Sequence, residues 1–363
     1  PPWDANMVYS PHKYWTYNDI SSIQWVLDIR DQHNTPLWLG ESGENSNVWF
    51  TEAINLVEDN NIGWAWWPWK RISTIVCPYS INSNSNYESI INYWKNEGPQ
   101  PSVENAIQGL SQLTNDILIE NNVFYKDVID AVLRQPQDET HIPYANHTVP
   151  GVVYLSDYAR GSNGIAYYDV DYANYTLSSG EDFQPWNSGW SYRNDGVDIQ
   201  TNSDTSNSNG YHVGYTNNNE WMKYTLNVSE TGFYNLKLRY ATPQSGAKIK
   251  FYIDNVDIAG NVSIGNSGGW TNFVNHFIYN SYIEAGTHVF KVKVDGNTEF
   301  NMSSVEFTDS TDQIPNFDVL SAITNDDEQS LNIVFNHPIT NQSLSNDLFQ
   351  VKVNNNIRTI ESV

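Results

Sequence analysis

The sequence predicts a multidomain chain: a parallel β/α segment, then an antiparallel β-sandwich, then part of a second all-β domain. Three observations carry this. Up to about residue 133, apolar residues recur at helical spacing between short apolar runs. From about residue 151 the apolar period becomes two. A polar stretch, Asp309-Ser310-Thr311-Asp312, leads to Pro315 and separates a last group of strand-like runs.

In the first segment, residues 7–9 read as a short strand. Residues 18–33 read as a helix with Asn18 or Asp19 near its N-cap, and Leu37-Trp38-Leu39 as a buried strand. Residues 48–59 are helical again, and 62–67 form the next strand. This β-α-β-α-β series implies a parallel sheet with right-handed crossovers. Two more helices are expected, at 87–95 and from 103 to about 133. Three prolines punctuate 134–151 and mark a boundary. Beyond it, Met222, Tyr224, Leu226 and Val228 share one strand face, as do Leu236, Leu238 and Tyr240. Ile249, Phe251 and Ile253 do the same, then Phe290, Val292 and Val294, with Ser245-Gly246 and Asp295-Gly296 as turns. Residues 319–323, 331–335 and 349–353 read as strands of the last piece. The domains are therefore drawn at 1–143, 148–308 and 316–363, with a linker at 309–315.

Composition narrows the function classes. Eighteen Lys and Arg stand against 42 Asp and Glu, a formal charge of −24, so the chain repels phosphate backbones and general nucleic-acid binding is excluded. No apolar run approaches the roughly 20 residues a membrane span needs. Cys77 is the single cysteine, which rules out a disulfide framework and reads as an inert buried thiol. An acidic, Asn-rich, aromatic-rich chain almost without cysteine fits a secreted or cell-surface bacterial protein. The chain opens on Pro1-Pro2 and stops inside a strand-like run, and is expected to be a fragment.

Chemistry concentrates at the ends of the parallel strands, where residues of a β/α barrel converge on one mouth. His12 and Tyr14 follow the first strand, Glu41 ends the second, and Trp67 and Trp69 end the third. A carboxylate, its hydrogen-bonding neighbours and an indole make a sugar-handling set. The runs Pro11-His12-Lys13-Tyr14, Leu39-Gly40-Glu41-Ser42-Gly43-Glu44-Asn45 and Gly63-Trp64-Ala65-Trp66-Trp67-Pro68-Trp69-Lys70 resemble strands six, seven and eight of glycoside hydrolase family 5. The resemblance implies the C-terminal half of a β/α (TIM) barrel, with Glu41 as catalytic nucleophile, His12 and Tyr14 beside it, and Trp67 as sugar platform. That family cleaves β-linked polysaccharides with retention, which takes two carboxyl groups about 5–5.5 Å apart. The family's acid/base glutamate lies on an earlier strand, outside this sequence, and Glu44 is a poor substitute on the same loop.

The sandwich carries Arg-Asn-Asp-Gly-Val-Asp-Ile at 193–199, Gly-Tyr-His-Val-Gly-Tyr-Thr-Asn-Asn-Asn-Glu-Trp-Met-Lys-Tyr at 210–224, Ser-Gly-Gly-Trp at 267–270 and Phe-Asn-Met-Ser-Ser-Val-Glu-Phe at 300–307. These resemble carbohydrate-binding module family 6, a jelly-roll-like sandwich. The resemblance implies a glycan cleft among loops, held by Trp270, Asn301 and a second aromatic, Tyr211, with Tyr215 as the alternative. Trp221 reads as structural, and Glu220 as a candidate for a second site on the sheet face. The family often carries a structural calcium, but its Glu-Ala-Glu is replaced by Tyr154-Leu155-Ser156; Asp157, Asp169, Asp171 and Asp309 are the remaining oxygen donors nearby. The sequons at Asn146, Asn174, Asn227 and Asn261 matter only in a eukaryote. The last piece resembles the immunoglobulin-like spacers of bacterial surface proteins and is about half the usual length.

The expectation is part of a secreted, endo-acting retaining β-glycoside hydrolase with a glycan-binding module, needing no cofactor. Its partner is a polysaccharide, β-glucan first, with mannan, xylan or agar-type polymers open. The rival is a non-catalytic polysaccharide-binding adhesin or scaffold with an inactive barrel remnant.

Overall fold

The computed structural model describes residues 4, 6–170 and 186–310, together with the backbone of 319–324, 331–335, 351–353 and 356–358. Asp171, Asn174 and the linker from Thr311 onward lie outside the described residues. The chain forms two compact units, Pro1–Ser310 and Thr311–Val363.

The first unit opens with β1 (His12–Lys13), α1 (Ile20–His33), β2 (Trp38–Gly43), α2 (Asn47–Asp59) and β3 (Gly63–Trp67). The three strands pair in parallel in the order β1-β2-β3, as the alternation of elements requires. The strand expected at 7–9 is displaced. Only Tyr9 bridges Leu37, and the ladder proper begins at His12. Pro11 has no N–H to give, so it serves the edge only through its carbonyl, which accepts from Gly40. Asp19 caps α1 by accepting from the Ser22 N–H, and Asn34 ends the helix in the left-handed region at φ +46°. Ile23, Val26 and Leu27 then meet Leu39, Leu56, Val57 and Ile62 on one side of the sheet. The other side carries Trp38, 43% exposed, whose indole lies over Gly63; a Cβ at Gly63 would stand 2.7 Å from that ring.

A second small sheet joins β4 (Lys70–Ile72), β5 (Tyr79–Ile81) and β6 (Val123–Phe124), with α3 (Ser85–Trp94) and α4 (Val103–Asp116) between the last two and α5 (Lys126–Leu133) after them. The single helix expected from 103 to 133 is thus two helices. The amides of Asn121 and Asn122 donate to the carbonyls of Asn115 and Asp116 at the end of α4, and the next two residues pair with β5. The same Asn pair that stops the helix makes the turn. Gly109 lets α4 sit against α3, because a Cβ there would be 2.6 Å from the Tyr87 nitrogen. Val128, Ala131 and Val132 of α5 bury against Trp49, Phe50, Ala53 and Ile54 of α2.

The sandwich runs from β7 (His147–Val149) through β8 (Gly151–Tyr154), β9 (Tyr167–Tyr168), β10 (Ile199–Thr201), β11 (Tyr211–Val213), β12 (Trp221–Val228), β13 (Gly232–Ala241) and β14 (Ala247–Ile253). It continues with β15 (Val256–Asp257), β16 (Val262–Ile264), β17 (Val274–Ile283), β18 (Gly286–Val294) and β19 (Asn301–Asp309). One sheet has the order β10-β11-β19-β13-β17 with β8 also on β19; the other has β15-β14-β18-β12-β7, with β16 on β14 and β9 on β12. The alternating residues expected to share faces do so: Met222, Tyr224, Leu226, Leu236, Leu238, Ile249, Phe251, Phe290 and Val292 are all in one core. Pairing is antiparallel except that β7 runs parallel to β12, because the chain enters one sheet and then crosses to the other at Gly151.

A buried polar network joins the β/α segment to the sandwich. The Asn47 amide donates to Asp127 at 2.9 Å and to Asp195 at 2.8 Å, and the Asn194 N–H donates to Asp127 at 2.9 Å. The Asn194 amide donates to the Asn45 carbonyl at 2.8 Å. Arg193, fully buried, pairs with Asp195 at 2.6 Å and lies over the rings of Tyr158 and Tyr144. Burial first, and then the Asp195 carboxylate, push Asp127 up to about 6.

In the second unit β20 (Val319–Thr324) pairs antiparallel with β21 (Leu331–Phe335), and β22 (Val351–Val353) with β23 (Asn356–Arg358).

Candidate functional site

The residues singled out in the sequence fall into two groups. The first is at the C-terminal ends of the parallel strands. Parallel pairing sets His12 opposite Glu41. Tyr14, just past β1, donates its hydroxyl to Glu41 Oε1 at 2.8 Å. Burial, and then this bond to a carboxylate, raise the Tyr14 hydroxyl above its ordinary pKa and hold it as a donor. His12 Nδ1 stands 3.8 Å from the same oxygen, beyond hydrogen-bond reach. The Glu41 side chain is 35% exposed, so it is oriented but open to solvent.

The loop behind Glu41 is fixed from several sides. Ser42 donates to the Lys13 carbonyl at 2.9 Å, and the Trp15 indole N–H donates to the Glu44 carbonyl at 3.1 Å. Glu44 is ion-paired with Arg71. Gly43, at φ +143°, is opposite Trp67 in register, and a Cβ there would stand 1.9 Å from the Trp67 carbonyl oxygen. Trp67 and Trp69 are exposed, whereas Trp64 and Trp66 pack against buried side chains. Alternation along β3 therefore turns Trp64 and Trp66 inward and Trp67 outward. Cys77 is buried, and burial pushes its thiol up to about 11.

The second group is at one end of the sandwich. Trp270, 40% exposed, sits in the loop between β16 and β17. Asn301 opens β19, is nearly buried, and donates its amide to the Trp270 carbonyl at 2.8 Å. Gly214 allows the approach: a Cβ there would be 2.7 Å from Asn301 Oδ1 and 3.5 Å from Gln200 Oε1. Tyr215, at φ +48° and 45% exposed, receives a bond from the Gln200 amide at 3.4 Å. Trp270, Asn301, Gln200 and Tyr215 thus share one end of the module. Gln200 carries no motif of its own; only the glycine beside Tyr215 hinted at close packing there.

Tyr211 lies elsewhere. It begins β11 opposite Thr201, with its ring 4.4 Å from that of Tyr192 and packed on the main core. Its partner Thr201 lies two positions beyond Ile199, the partner of Val213 near the Trp270 end. Glu220 is nearly buried and accepts from the backbone N–H groups of Asn217 at 2.7 Å and Val170 at 3.3 Å, so it holds a loop rather than facing outward. Burial raises it to about 7. Trp221 is half-buried with the Lys223 ammonium 5.1 Å from its ring.

The Trp270 loop is preorganised. Ser267 accepts from the Thr242 N–H at 2.8 Å, and Asn266 donates to the Pro243 carbonyl at 2.6 Å. Phe273 closes over His212 with ring centroids 5.4 Å apart. His212 is buried, and burial lowers it to about 4, so it is neutral near pH 7.

Among the described residues no group of three or more His, Cys, Asp or Glu is placed to hold a metal ion. Near the start of the module, Asp157 is bonded by the Tyr192 hydroxyl, and Ser156 accepts from Asn209 at 2.9 Å. Protein donors thus occupy the segment where Tyr154-Leu155-Ser156 stands for a carboxylate run. Among the described residues no helix is long and apolar enough to cross a membrane.

Comparison with known proteins bears on the sandwich. The profile of the family 6 carbohydrate binding module matches residues 190–309. β-Agarase AgaA of Microbulbifer thermotolerans is 30% identical over 112 residues, 28% of this chain and 24% of its own, so the match spans about a quarter of that relative. The C-terminal family 6 module of LamC, a marine laminarinase from Zobellia galactanivorans, is 26% identical over 31% of this chain and 87% of its own, with a TM-score of 0.28. The module of Cellvibrio mixtus lichenase 5A, solved with cellotriose, is 24% identical over 32% and 88%, with a TM-score of 0.28. Residues 190–309 form a family 6 carbohydrate-binding module, built into a β-sandwich.

Proposed function

We propose that the module binds a β-linked polysaccharide between Trp270 and Tyr215, with Asn301 and Gln200 bonding sugar hydroxyls. The observation that carries this is the convergence of two exposed aromatic rings and two amides at one preorganised end of a carbohydrate-binding sandwich. Aromatic faces stack on sugar C–H faces, and a few placed polar groups fix orientation. The test is affinity electrophoresis of the full chain through laminarin, barley β-glucan, xylan, mannan and agarose. Trp270→Ala and Tyr215→Ala should each weaken binding at least tenfold on the polymer that retards the native protein. Equal retardation of Trp270→Ala and native chain on every retarding polymer would sink the reading.

The β/α segment is proposed as the C-terminal part of a retaining glycoside hydrolase barrel in a secreted protein. Two observations support it. Tyr14 and Glu41 meet at the C-terminal ends of adjacent parallel strands. The sheet also has its helices on one face, while Trp38 and Trp67 are exposed on the other. Parallel sheets are covered on both faces, and a barrel does this with its own remaining strands. Glu41 would attack the anomeric carbon, and a glutamate from another strand would act as acid and then base. Glu44 does not fill that role, being paired with Arg71 on the same loop. In the full-length gene product Glu41→Gln should abolish hydrolysis and leave polymer binding intact. Should hydrolysis survive Glu41→Gln, Glu41 is not the nucleophile. The adhesin reading gains if the full-length product binds polymer and releases no sugar.

A further inference from the structure

Strand β17 carries a row of rings that the core does not use. Phe277, Tyr279 and Tyr282 are 48%, 66% and 43% exposed. Ile278 and Ile283, their chain neighbours, point into the core, so the three rings stand on the outer face of the sheet. Phe277 and Tyr279 have parallel rings, 10° apart in plane with centroids 6.1 Å apart. Tyr282 lies opposite Phe233 of β13, their rings 5.5 Å apart. Three large rings left exposed on one face add little to folding through burial, and such a patch marks a binding surface.

The surroundings say what covers it. The face is aromatic and amide in composition, with Asn235 and Asn275 beside the rings. Its two cations are already neutralised: Lys237, opposite Phe277, pairs with Glu306, and Arg239 pairs with Asp204 at 2.7 Å. In a chain of charge −24 this is a locally neutral surface, suited to an uncharged ligand. Pairing with another protein strand is opposed by the bulge between Tyr234 and Leu236, opposite which Asn280 adopts φ +60° and bends the edge. The row is also continuous with the proposed cleft. Val274 starts β17 four residues after Trp270 and pairs with Tyr240, next to the Ala241–Asn301 pair. The rings then follow along the strand over about 16 Å, at about 3.3 Å per residue.

We infer that a neutral polysaccharide chain leaving the Trp270 cleft stacks on Phe277, Tyr279 and Tyr282 along the outer face of β17. The assignment rests on the cleft reading for its polarity, and it deepens that reading: the module holds an extended internal stretch of glycan. The parallel spacing of Phe277 and Tyr279 is of the order of a sugar residue's own length, so successive units meet successive rings.

The experiment compares the full chain with Phe277→Thr/Tyr279→Thr and with Trp270→Ala. Threonine keeps strand propensity at exposed positions, and an unchanged thermal midpoint verifies folding. Titration calorimetry uses the retarding polymer and its two- and three-sugar fragments. The double variant should bind the polymer about tenfold more weakly and the short fragments as the native chain does, while Trp270→Ala loses both. Unchanged polymer affinity in the double variant overturns the stripe and leaves the cleft standing. Weakened polymer binding in the double variant with Trp270→Ala unaffected supports the stripe and removes the cleft. A native dimer that the double variant converts to monomer at unchanged polymer affinity assigns the face to a second copy and overturns the inference, as does a native chain that binds no polymer.

Discussion

Asn301 does two things with one amide. Its side chain tethers the Trp270 carbonyl at 2.8 Å, and its oxygen abuts Gly214. Asn301→Ala should therefore cost roughly 1–2 kcal/mol of stability as well as glycan affinity, read by urea unfolding and calorimetry together. An alanine variant that loses affinity with stability unchanged would confine Asn301 to the ligand. Gly43 shows the opposite economy, a residue whose missing side chain is its contribution. Gly43→Ala places a Cβ against the Trp67 carbonyl at a positive φ and should destabilise by roughly 2–4 kcal/mol, measured by thermal or urea unfolding. A near-neutral result would mean that β2 and β3 are not in the register described.

At the scale of elements, the loop carrying Trp270 is braced by β11. His212 is buried under Phe273 with neither ring nitrogen hydrogen-bonded, and it must gain a proton to unfold in acid. Burial depresses its folded pKa to about 4, below the ordinary 6.5, so its contribution is complete above pH 6.5 and is lost as the pH falls toward 4. His147, also depressed by burial, acts in the same sense. The thermal midpoint should drop between pH 7 and pH 5, and His212→Leu should make that drop smaller. An identical drop in the variant would show that other groups govern it. Strand β17 illustrates how exposed rings disturb a pattern. Its run Val-Asn-His-Phe-Ile-Tyr-Asn-Ser-Tyr-Ile puts Phe277, Tyr279 and Tyr282 on the exposed side, and the irregularity beside Asn280 breaks the alternation, which hides the period of two that exposed β12 and β14.

Across the whole first unit, the β/α segment and the sandwich are bonded through Asn47, Asp127, Asn194, Asp195 and Arg193. One guanidinium faces two carboxylates, so burial and the Asp195 charge favour a proton on Asp127. Its folded pKa is raised above the ordinary value, so the stability it supplies is full below about pH 4 and is lost as the pH rises through about 6. This is opposite in sign to His212, and substitution separates them. Asp127→Asn keeps the acceptor for Asn47 and the Asn194 N–H and should raise the thermal midpoint at pH 7.5 more than at pH 4.5. A lower midpoint at both pH values would show that the carboxylate is needed ionised. The network also predicts that segment and sandwich unfold in one transition by calorimetry; two separated transitions would contradict a shared core.

The sequence by itself determined the alternation of strands and helices up to Trp67, the parallel and antiparallel character of the two regions, and the alternating residues of the sandwich core. These follow from local periodicity, turn residues and burial preference, which are written in consecutive positions. It also placed Glu41, Tyr14 and Trp67 at the ends of parallel strands, and a family resemblance singled out Trp270 and Asn301. Tertiary structure alone decided which of these touch. The choice between Tyr211 and Tyr215 rests on where a three-residue strand begins and on a left-handed Tyr215, neither of which periodicity encodes. The split of residues 103–133 rests on Val123 finding a partner strand in β5. The joining of Asn47 to Asp195 spans 148 positions, a pairing that buried charge enforces and no local pattern announces. Local patterns report the environment each residue prefers; long-range contacts depend on which surfaces remain to be buried once the elements have formed.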